Sequence, residues 1–399
     1  MSIVRPDRIK PEQEVKPPIF EHVIQSGITR ESLIVLHETE GIGNATIRKI
    51  VDQGYQLLYP SLSDASKLRE GEWRELGAKP EQASAIVASF RPDVLASRVQ
   101  WHLKHEVQLV TYLDEGYPPL LREIADPPWV LYYKGNWKLT AQLCIGVVGT
   151  RLATAYGRKV AEELSARCAN RLTIVSGLAR GIDTAAHIGA LRGEYGTIAV
   201  MASPINQCYP PENRQLYEQI AQKGLIVTEV APGTKLHKGM FPMRNRIIAA
   251  LSRGVIVVEA ALKSGALITA DLAMGYNRDV FIVPGPVTSP SSQGALDYFR
   301  QGAYPVLDES DIFFVYQHDI DINGSAAKEH STKRLIGSEG EKLTPNEQLI
   351  YDILHNEPLS IDEIVDKSGM SFGHLHSVLL SLTIKRRIHQ QPGSVYNVL

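Results

Sequence analysis

The chain has 399 residues, and 44% of them are hydrophobic, so it is long enough for two or three folded units with buried cores. This composition excludes a chain that is disordered throughout. The three cysteines, Cys144, Cys168 and Cys208, lie far apart and without metal-ligand spacing. They argue for reduced thiols in a cytoplasmic protein and against a zinc site or a disulfide framework.

The formal net charge of −2 hides an uneven distribution along the chain. Residues 143–307 contain 17 Lys and Arg against 11 Asp and Glu, so the rest of the chain is acidic. A positive centre between acidic flanks favours a polyanion site in one domain. No apolar run reaches the roughly 18 residues of a membrane span, and the N-terminus lacks a secretory signal, so we expect a cytoplasmic protein without a membrane span.

The N-terminal part of the sequence predicts an arm followed by a helical domain. Residues 1–30 carry four prolines before Phe20 and no sustained periodicity, which predicts a flexible arm. Residues 31–97 show helical periodicity on both sides of a Gly41-Ile42-Gly43 turn, which predicts a compact helical domain. This turn is typical of a structural connection and also of a hairpin whose amides contact phosphate.

Residues 98–316 are predicted to form one Rossmann-like α/β domain. From Leu143 onward, short β-rich runs alternate with segments of helix length, which is typical of a doubly wound, mainly parallel sheet. The predicted strands are Leu143–Val148, Leu172–Val175, Thr197–Met201, Leu225–Glu229, Gly254–Glu259, Val280–Val283 and Tyr304–Leu307. Ligands bind at the carboxyl ends of the strands in such sheets, so the loops there are the first candidates for a site.

The C-terminal part of the sequence predicts a linker and a winged helix. Residues 317–342 are polar and of mixed charge, as in a linker. Within residues 343–399, the apolar spacing predicts three helices and a hairpin, which is the layout of a winged helix. Residues 342–399 carry 5 Lys and Arg against 6 Asp and Glu, so binding of a protein partner competes with binding of duplex DNA as its role.

Glycine-rich loops that carry an arginine follow the first two predicted strands. The first is Gly149-Thr150-Arg151, and the second runs from Ser176-Gly177 to Arg180-Gly181. Glycines let a phosphate approach the backbone amides, the helix N-terminus adds a positive dipole, and an arginine can grip two phosphate oxygens. A close-packed turn would explain the glycines equally well. On the next helix, we interpret Asp183 and His187 as a capping acid and a hydrogen-bonded histidine.

The densest basic cluster lies in residues 235–246. It contains Lys238, Phe241, Arg244, Asn245 and Arg246. Single-stranded nucleic acid needs cations for its phosphates and a flat face for an unstacked base, which Phe241 offers, although core packing also explains a phenylalanine. Burial of two arginines without an anion is costly, which favours a binding role for both. A further phosphate contact is predicted at Lys263-Ser264-Gly265.

Two classes of enzyme share this kind of fold, and each has a sequence motif that can be looked for in this chain. A dinucleotide dehydrogenase needs Gly-x-Gly-x-x-Gly and an acid after the second strand, and both are missing here. Phosphoribohydrolases carry Pro-Gly-Gly-x-Gly-Thr, where this chain has Pro284-Gly285-Pro286-Val287. We therefore expect that the chain is not an enzyme and that it binds no cofactor or metal. A phosphoribohydrolase-like enzyme and a duplex-binding regulator acting through the winged helix are the alternatives.

Five motifs match one known family in order and spacing. They are Gly149–Arg151, Ser176–Asp183 with Ala186-His187, Tyr209–Asn213, Phe241–Ile248 and Lys263–Gly265. On these motifs, residues 143–307 resemble the DNA-processing protein A family, also called DprA or Smf. Members of that family often carry an N-terminal helical domain related to SAM or helix-hairpin-helix modules and a C-terminal winged helix, which agrees with the flanking segments.

The resemblance implies a homodimer that binds single-stranded DNA and loads the RecA recombinase during natural transformation. It implies a DNA pocket that contains Arg151, Lys238, Phe241, Arg244 and Arg246. With the loop residues above, the expected DNA-binding set is Gly149, Thr150, Arg151, Ser176, Gly177, Arg180, Gly181, Lys238, Phe241, Arg244, Asn245, Arg246, Lys263, Ser264 and Gly265. The chain departs from the family pattern at Ala266, where many relatives have a serine.

Overall fold

A computed structural model describes residues 23, 25–56, 60–320, 343–356 and 359–370, with short stretches between 374 and 398. The chain divides into two compact units, residues 1–326 and 327–399. The predicted helical and α/β domains both belong to the first unit. Most of the predicted arm and linker lies outside the described residues, and the predicted domain boundaries stay predictions.

The first unit is built on a nine-stranded sheet with the order β1-β2-β6-β5-β4-β3-β7-β8-β9. The strands are β1 Gln108–Thr111, β2 Val130–Gly135, β3 Cys144–Val148, β4 Thr173–Ser176, β5 Thr197–Val200, β6 Leu225–Thr228, β7 Gly254–Val257, β8 Asp279–Ile282 and β9 Tyr304–Pro305. Strands β3 to β9 pair in parallel. Strand β2 pairs antiparallel with both β1 and β6. The predicted mainly parallel Rossmann-like sheet is thus confirmed.

The helices of the first unit precede the sheet or cover it. They are α1 Arg30–His37, α2 Asn44–Gln56, α3 Glu70–Glu75, α4 Pro80–Ser89, α5 Pro92–Lys104, α6 Pro119–Arg122, α7 Ala155–Cys168, α8 Ile182–Ala190, α9 Arg214–Lys223, α10 Met240–Leu251, α11 Gly265–Gly275, α12 Pro290–Leu296 and α13 Glu309–Val315. None of the helices in the described ranges is both long and apolar enough to cross a membrane.

Alternate side chains along a strand pack into two separate hydrophobic cores. Ile145 and Val147 of β3 belong to the core beneath α7, α8 and α13, whereas Cys144 and Val148 belong to the core beneath α10 and α11. Every residue of β3 is buried, as expected for a parallel strand covered on both faces. Burial also raises the pKa of the Cys144 thiol to about 12, so this cysteine is neutral.

The antiparallel strands β1 and β2 join the N-terminal helices to the sheet. On β2, the Tyr132 hydroxyl lies 3.0 Å from Nδ1 of His37 on α1, and the Tyr132 ring stacks on His102 of α5. The Trp129 indole donates to the Asn44 backbone carbonyl, and the Arg30 guanidinium pairs with Asp114 after β1. Strands β1 and β2 were not predicted, because their apolar runs are short and lie next to prolines and turns.

A buried ion pair adds a second attachment between the helices and the sheet. Glu229 follows β6, and its carboxylate accepts hydrogen bonds from Arg246 on α10 at 2.5 Å and from the Asn44 amide of α2 at 3.2 Å. Asp126 lies 3.6 Å from the same guanidinium. The side chains of Arg246 and Glu229 are only 8% and 10% exposed, so each charge depends on the other.

The second unit combines helices α14 Pro345–Asn356 and α15 Ile361–Ser368 with a three-stranded sheet. The sheet has the order β10-β12-β11, formed by β10 Leu359–Ser360, β11 Ile388–Gln391 and β12 Val395–Val398. Ser360 begins α15 with a capping box, in which the side chains of Ser360 and Glu363 each accept a backbone N–H of the other residue. The predicted third helix is described in part: Leu375, Val378, Leu379 and Leu382 are helical and buried, whereas residues 376, 377 and 380 lie outside the described residues.

We expect the Arg246→Met variant to lose about 3–5 kcal/mol of unfolding free energy, because it leaves the buried Glu229 charge without its partner. Urea denaturation monitored by circular dichroism measures this loss. The matched control is Arg253→Met, since Arg253 is exposed and its loss should change stability by less than about 0.5 kcal/mol. Equal stabilities for the two variants would contradict the assigned role of the ion pair.

Candidate nucleic-acid interface

A cavity of ≈ 620 Å³ opens where the loops after β3 and β7 meet the start of α10. The predicted residues that line it are Gly149, Thr150, Arg151, Lys238, Phe241, Arg244, Asn245, Ser264 and Gly265. Gly177 and Arg180 line a narrower recess beside it, together with Arg151, Phe241 and Arg244. The fold therefore brings loops that are distant in sequence to one edge of the sheet, as the parallel arrangement predicts.

An arginine and two aromatic rings meet at the mouth of this cavity. The Arg151 guanidinium lies 5.0 Å from the centroid of the Phe241 ring, within the range of a cation–π contact. The centroid of the Tyr209 ring lies 5.4 Å from the centroid of the Phe241 ring, and Tyr209 is 39% exposed. Phe241 is thus a wall of the cavity and not a core residue. Tyr209 was recognised only as part of a motif, and nothing in the sequence indicated that it would lie beside Phe241.

Arg244 provides a buried positive charge at the floor of the site. It is 5% exposed, donates from Nη1 to the Val200 carbonyl at 3.0 Å and lies 4.0 Å from the Asp183 carboxylate. Its Nε is buried without a hydrogen-bond partner among the described residues. Burial lowers the pKa of Arg244, while the nearby Asp183 carboxylate opposes this effect.

The loop after β4 makes room for Arg244. A Cβ atom on Gly177 would lie 1.2 Å from Arg244 Nη1, so only glycine fits there. The next residue, Leu178, has a φ of +55°, and Gly181 has a φ of +76°. A leucine at positive φ is strained, so the loop needs strong support from its surroundings.

Three buried polar side chains supply that support. Asp183 accepts the Gly177 N–H at 3.1 Å, His187 Nε2 accepts the Leu178 N–H at 3.2 Å, and Asn213 donates to the Leu178 carbonyl at 2.9 Å. Because His187 accepts at Nε2, its proton is on Nδ1, which faces Thr197 Oγ1 at 2.8 Å. Burial lowers the pKa of His187 to about 3 and raises the pKa of Asp183. The interpretation of His187 as a hydrogen-bonded histidine is confirmed, whereas Asp183 does not cap α8: Gly181 is the N-cap, and the Asp183 carboxylate supports the preceding loop instead.

Glu259 holds the loop that carries Arg151. Its backbone carbonyl accepts the Thr150 N–H at 2.7 Å, and its buried carboxylate accepts from the Thr154 N–H and hydroxyl at 2.9 and 2.5 Å. A Cβ on Gly157 would collide with this carboxylate at 2.3 Å, so the glycine spacing at the start of α7 serves packing as well. From the sequence, Glu259 was predicted only as the last residue of a strand, because Thr154, the partner of its carboxylate, lies 105 residues away along the chain.

Four of the predicted residues lie outside the two cavities just described. The Ser176 hydroxyl is buried and donates to the Val147 carbonyl, and Gly181 packs against the Thr150 carbonyl. Arg246 is engaged by Glu229. Lys263 instead lines a neighbouring cavity of ≈ 400 Å³ together with Ser264 and Gly265. Across the described ranges, no cluster of three metal-ligating side chains occurs.

A mainly parallel sheet whose carboxyl edge holds a cation-lined cavity places the first unit among the Rossmann-like proteins. The family of the chain follows from the sequence: residues 108–317 match the model of DNA recombination-mediator protein A, and residues 338–394 match the DprA winged helix domain. The chain belongs to this family of recombination mediators. The predicted family resemblance, the winged helix and the expectation that the chain is not an enzyme are confirmed.

Individual relatives give the same result. The protein Smf of Synechocystis sp. is 37% identical over 325 residues, which cover 74% of this chain and 81% of the relative. The DNA processing protein DprA of Streptococcus pneumoniae is 42% identical over 219 residues, which cover 54% of this chain and 78% of the relative. The X-ray structure of the S. pneumoniae DprA matches with a TM-score of 0.62 and 35% identity, covering 72% of this chain and 98% of that chain.

We expect Gly177→Ala to cost about 1–3 kcal/mol of unfolding free energy, because the added methyl group forces the Arg244 guanidinium out of its buried position. Chemical denaturation measures the loss. Gly275→Ala is the control: Gly275 is helical with open space around it, so alanine should leave stability unchanged or raise it by up to about 1 kcal/mol. A Gly177→Ala protein as stable as the control would mean that Arg244 is not held in place by this loop.

We expect His187 to make the folded protein less stable as the pH falls from about 6.5 to about 3. The unfolded chain binds a proton on His187 below its ordinary pKa of 6.5, whereas the folded protein keeps the imidazole neutral until about 3. Relative to the wild type, His187→Gln should therefore lose less stability over this interval, as measured by urea titrations at several pH values. The exposed His237→Gln variant should follow the wild type, and identical pH slopes for all three proteins would refute this assignment.

Proposed function

We propose that this protein binds single-stranded DNA in the cavity between Arg151, Phe241 and Lys238, and that it loads the RecA recombinase onto the bound strand. The observation that carries the proposal is the Arg151 guanidinium over the Phe241 ring, with the partly exposed Tyr209 ring beside it. Cations neutralise the phosphates of a strand, while aromatic rings stack on its unpaired bases.

Charge in and around the cavity supports a polyanionic ligand. Among the residues that the structure describes, neither Arg151 nor Lys238 has a carboxylate partner, and both are exposed. The buried Arg244 adds a third positive charge below them. The amide of Asn245 donates to the Gly265 carbonyl at 3.3 Å, which ties α10 to the start of α11 at the same cavity.

The biological context of the proposal comes from the family. Membership among the recombination mediators supports a role in DNA processing. Action as a cytoplasmic homodimer, RecA loading and natural transformation are the finer parts of the proposal, and they rest on the family resemblance. DNA binding is assigned to the first unit because residues 342–399 carry no excess of positive charge.

We expect Arg151→Ala to weaken binding of a single-stranded oligonucleotide roughly ten- to hundredfold, because a charge-assisted phosphate contact is lost. The slope of log K against log salt should become shallower by about 0.7. Fluorescence anisotropy over a salt series measures both quantities.

The control for this experiment is Arg253→Ala. Arg253 is also an exposed arginine, but it precedes β7 and therefore lies at the opposite edge of the sheet. This variant should bind like the wild type. Unchanged affinity in Arg151→Ala, with the wild type binding normally, would place the DNA site elsewhere.

A further inference from the structure

We infer that Glu212 is a built-in competitor of DNA. Its carboxylate pairs with Arg180 in the free protein and must be displaced before Arg180 can contact a phosphate. The inference rests on the proposed function and assigns a residue that limits the affinity of the same site. It concerns two loops at the rim of the narrow recess, one after β4 and one before α9.

The contact itself is a charged hydrogen bond in which Arg180 Nε donates to Glu212 Oε1. This bond lowers the pKa of Glu212, so its carboxylate is ionised at neutral pH. Arg180 lines the recess next to Arg151 and Phe241. Arg180 thus has the position of a phosphate ligand, but its charge is neutralised by an acid of the protein itself.

The backbone on both sides of the ion pair is fixed. The Asn213 amide, next to Glu212, donates to the Leu178 carbonyl and to Thr184 Oγ1, each at 2.9 Å. The two loops therefore keep their distance whether or not the carboxylate is engaged, and only the side chains of Arg180 and Glu212 need to move. These side chains are 58% and 50% exposed, so solvent screens the pair and its separation costs little.

The weakness of the pair lets an anchored strand displace the carboxylate. A strand anchored at Arg151 and Lys238 presents its next phosphate to Arg180 at a high effective concentration. Displacement of Glu212 therefore lowers the affinity of the site for a strand by a small factor and does not prevent binding.

The test compares Glu212→Gln with Glu218→Gln. Glu218 is a matched control because it forms a similar exposed pair with Arg214, along α9 and outside the cavity, and its substitution changes the net charge equally. With oligothymidylate as the probe, Glu212→Gln should bind roughly two- to fivefold more tightly than the wild type. Glu218→Gln should bind like the wild type. Equal affinities for the two variants would overturn the inference.

A second background separates competition for Arg180 from general repulsion of DNA by a negative charge. In Arg180→Gln, the further change Glu212→Gln should give no gain in affinity, because the cation that it would release is absent. A gain of the same size in this background would also overturn the inference. If the wild type itself does not bind oligothymidylate, the proposed function fails, and this outcome is distinct from a failure of the Glu212 assignment.

Discussion

The site depends on one constraint, which is that the Arg244 guanidinium must stay charged while buried beneath the cavity. Desolvation opposes this charge, and it is offset by the Val200 carbonyl and the nearby Asp183 carboxylate. The space for the guanidinium exists only because residue 177 has no side chain. The strained loop after β4, its three polar supports and the position of α10 all follow from accommodating this group.

Helix α10 carries two arginines with different tasks. Arg244 faces the cavity, whereas Arg246 pairs with Glu229. The Glu229 carboxylate also accepts a hydrogen bond from Asn44 of the N-terminal helices. The position of the helix that bears Phe241 is thus fixed from the side of the helical segment as well as from the sheet. The turn at Gly41–Gly43 immediately precedes Asn44, so its neighbourhood contributes to this attachment.

The sequence allowed the parallel part of the fold to be predicted well, because buried strands and strand-end glycines leave a strong local pattern. Strands β3 to β9 occur within two residues of their predicted bounds. What could not be predicted depends on distant partners. The different roles of Arg244 and Arg246 are decided by Asp183 and Glu229, and the pairing of Arg180 with Glu212 links positions 32 residues apart. Composition and spacing do not encode such pairs.

The attachment of the N-terminal helices to β2 has a consequence for how the protein comes apart. Residues such as Leu33 and Ile47 share one continuous apolar core with Tyr132 of β2 and with Trp129 just before it. A shared core makes separate melting of the two segments unfavourable, since either segment alone would expose the apolar face of the other. The helical segment and the sheet therefore form a single cooperative unit, although their sequences read as two different domains.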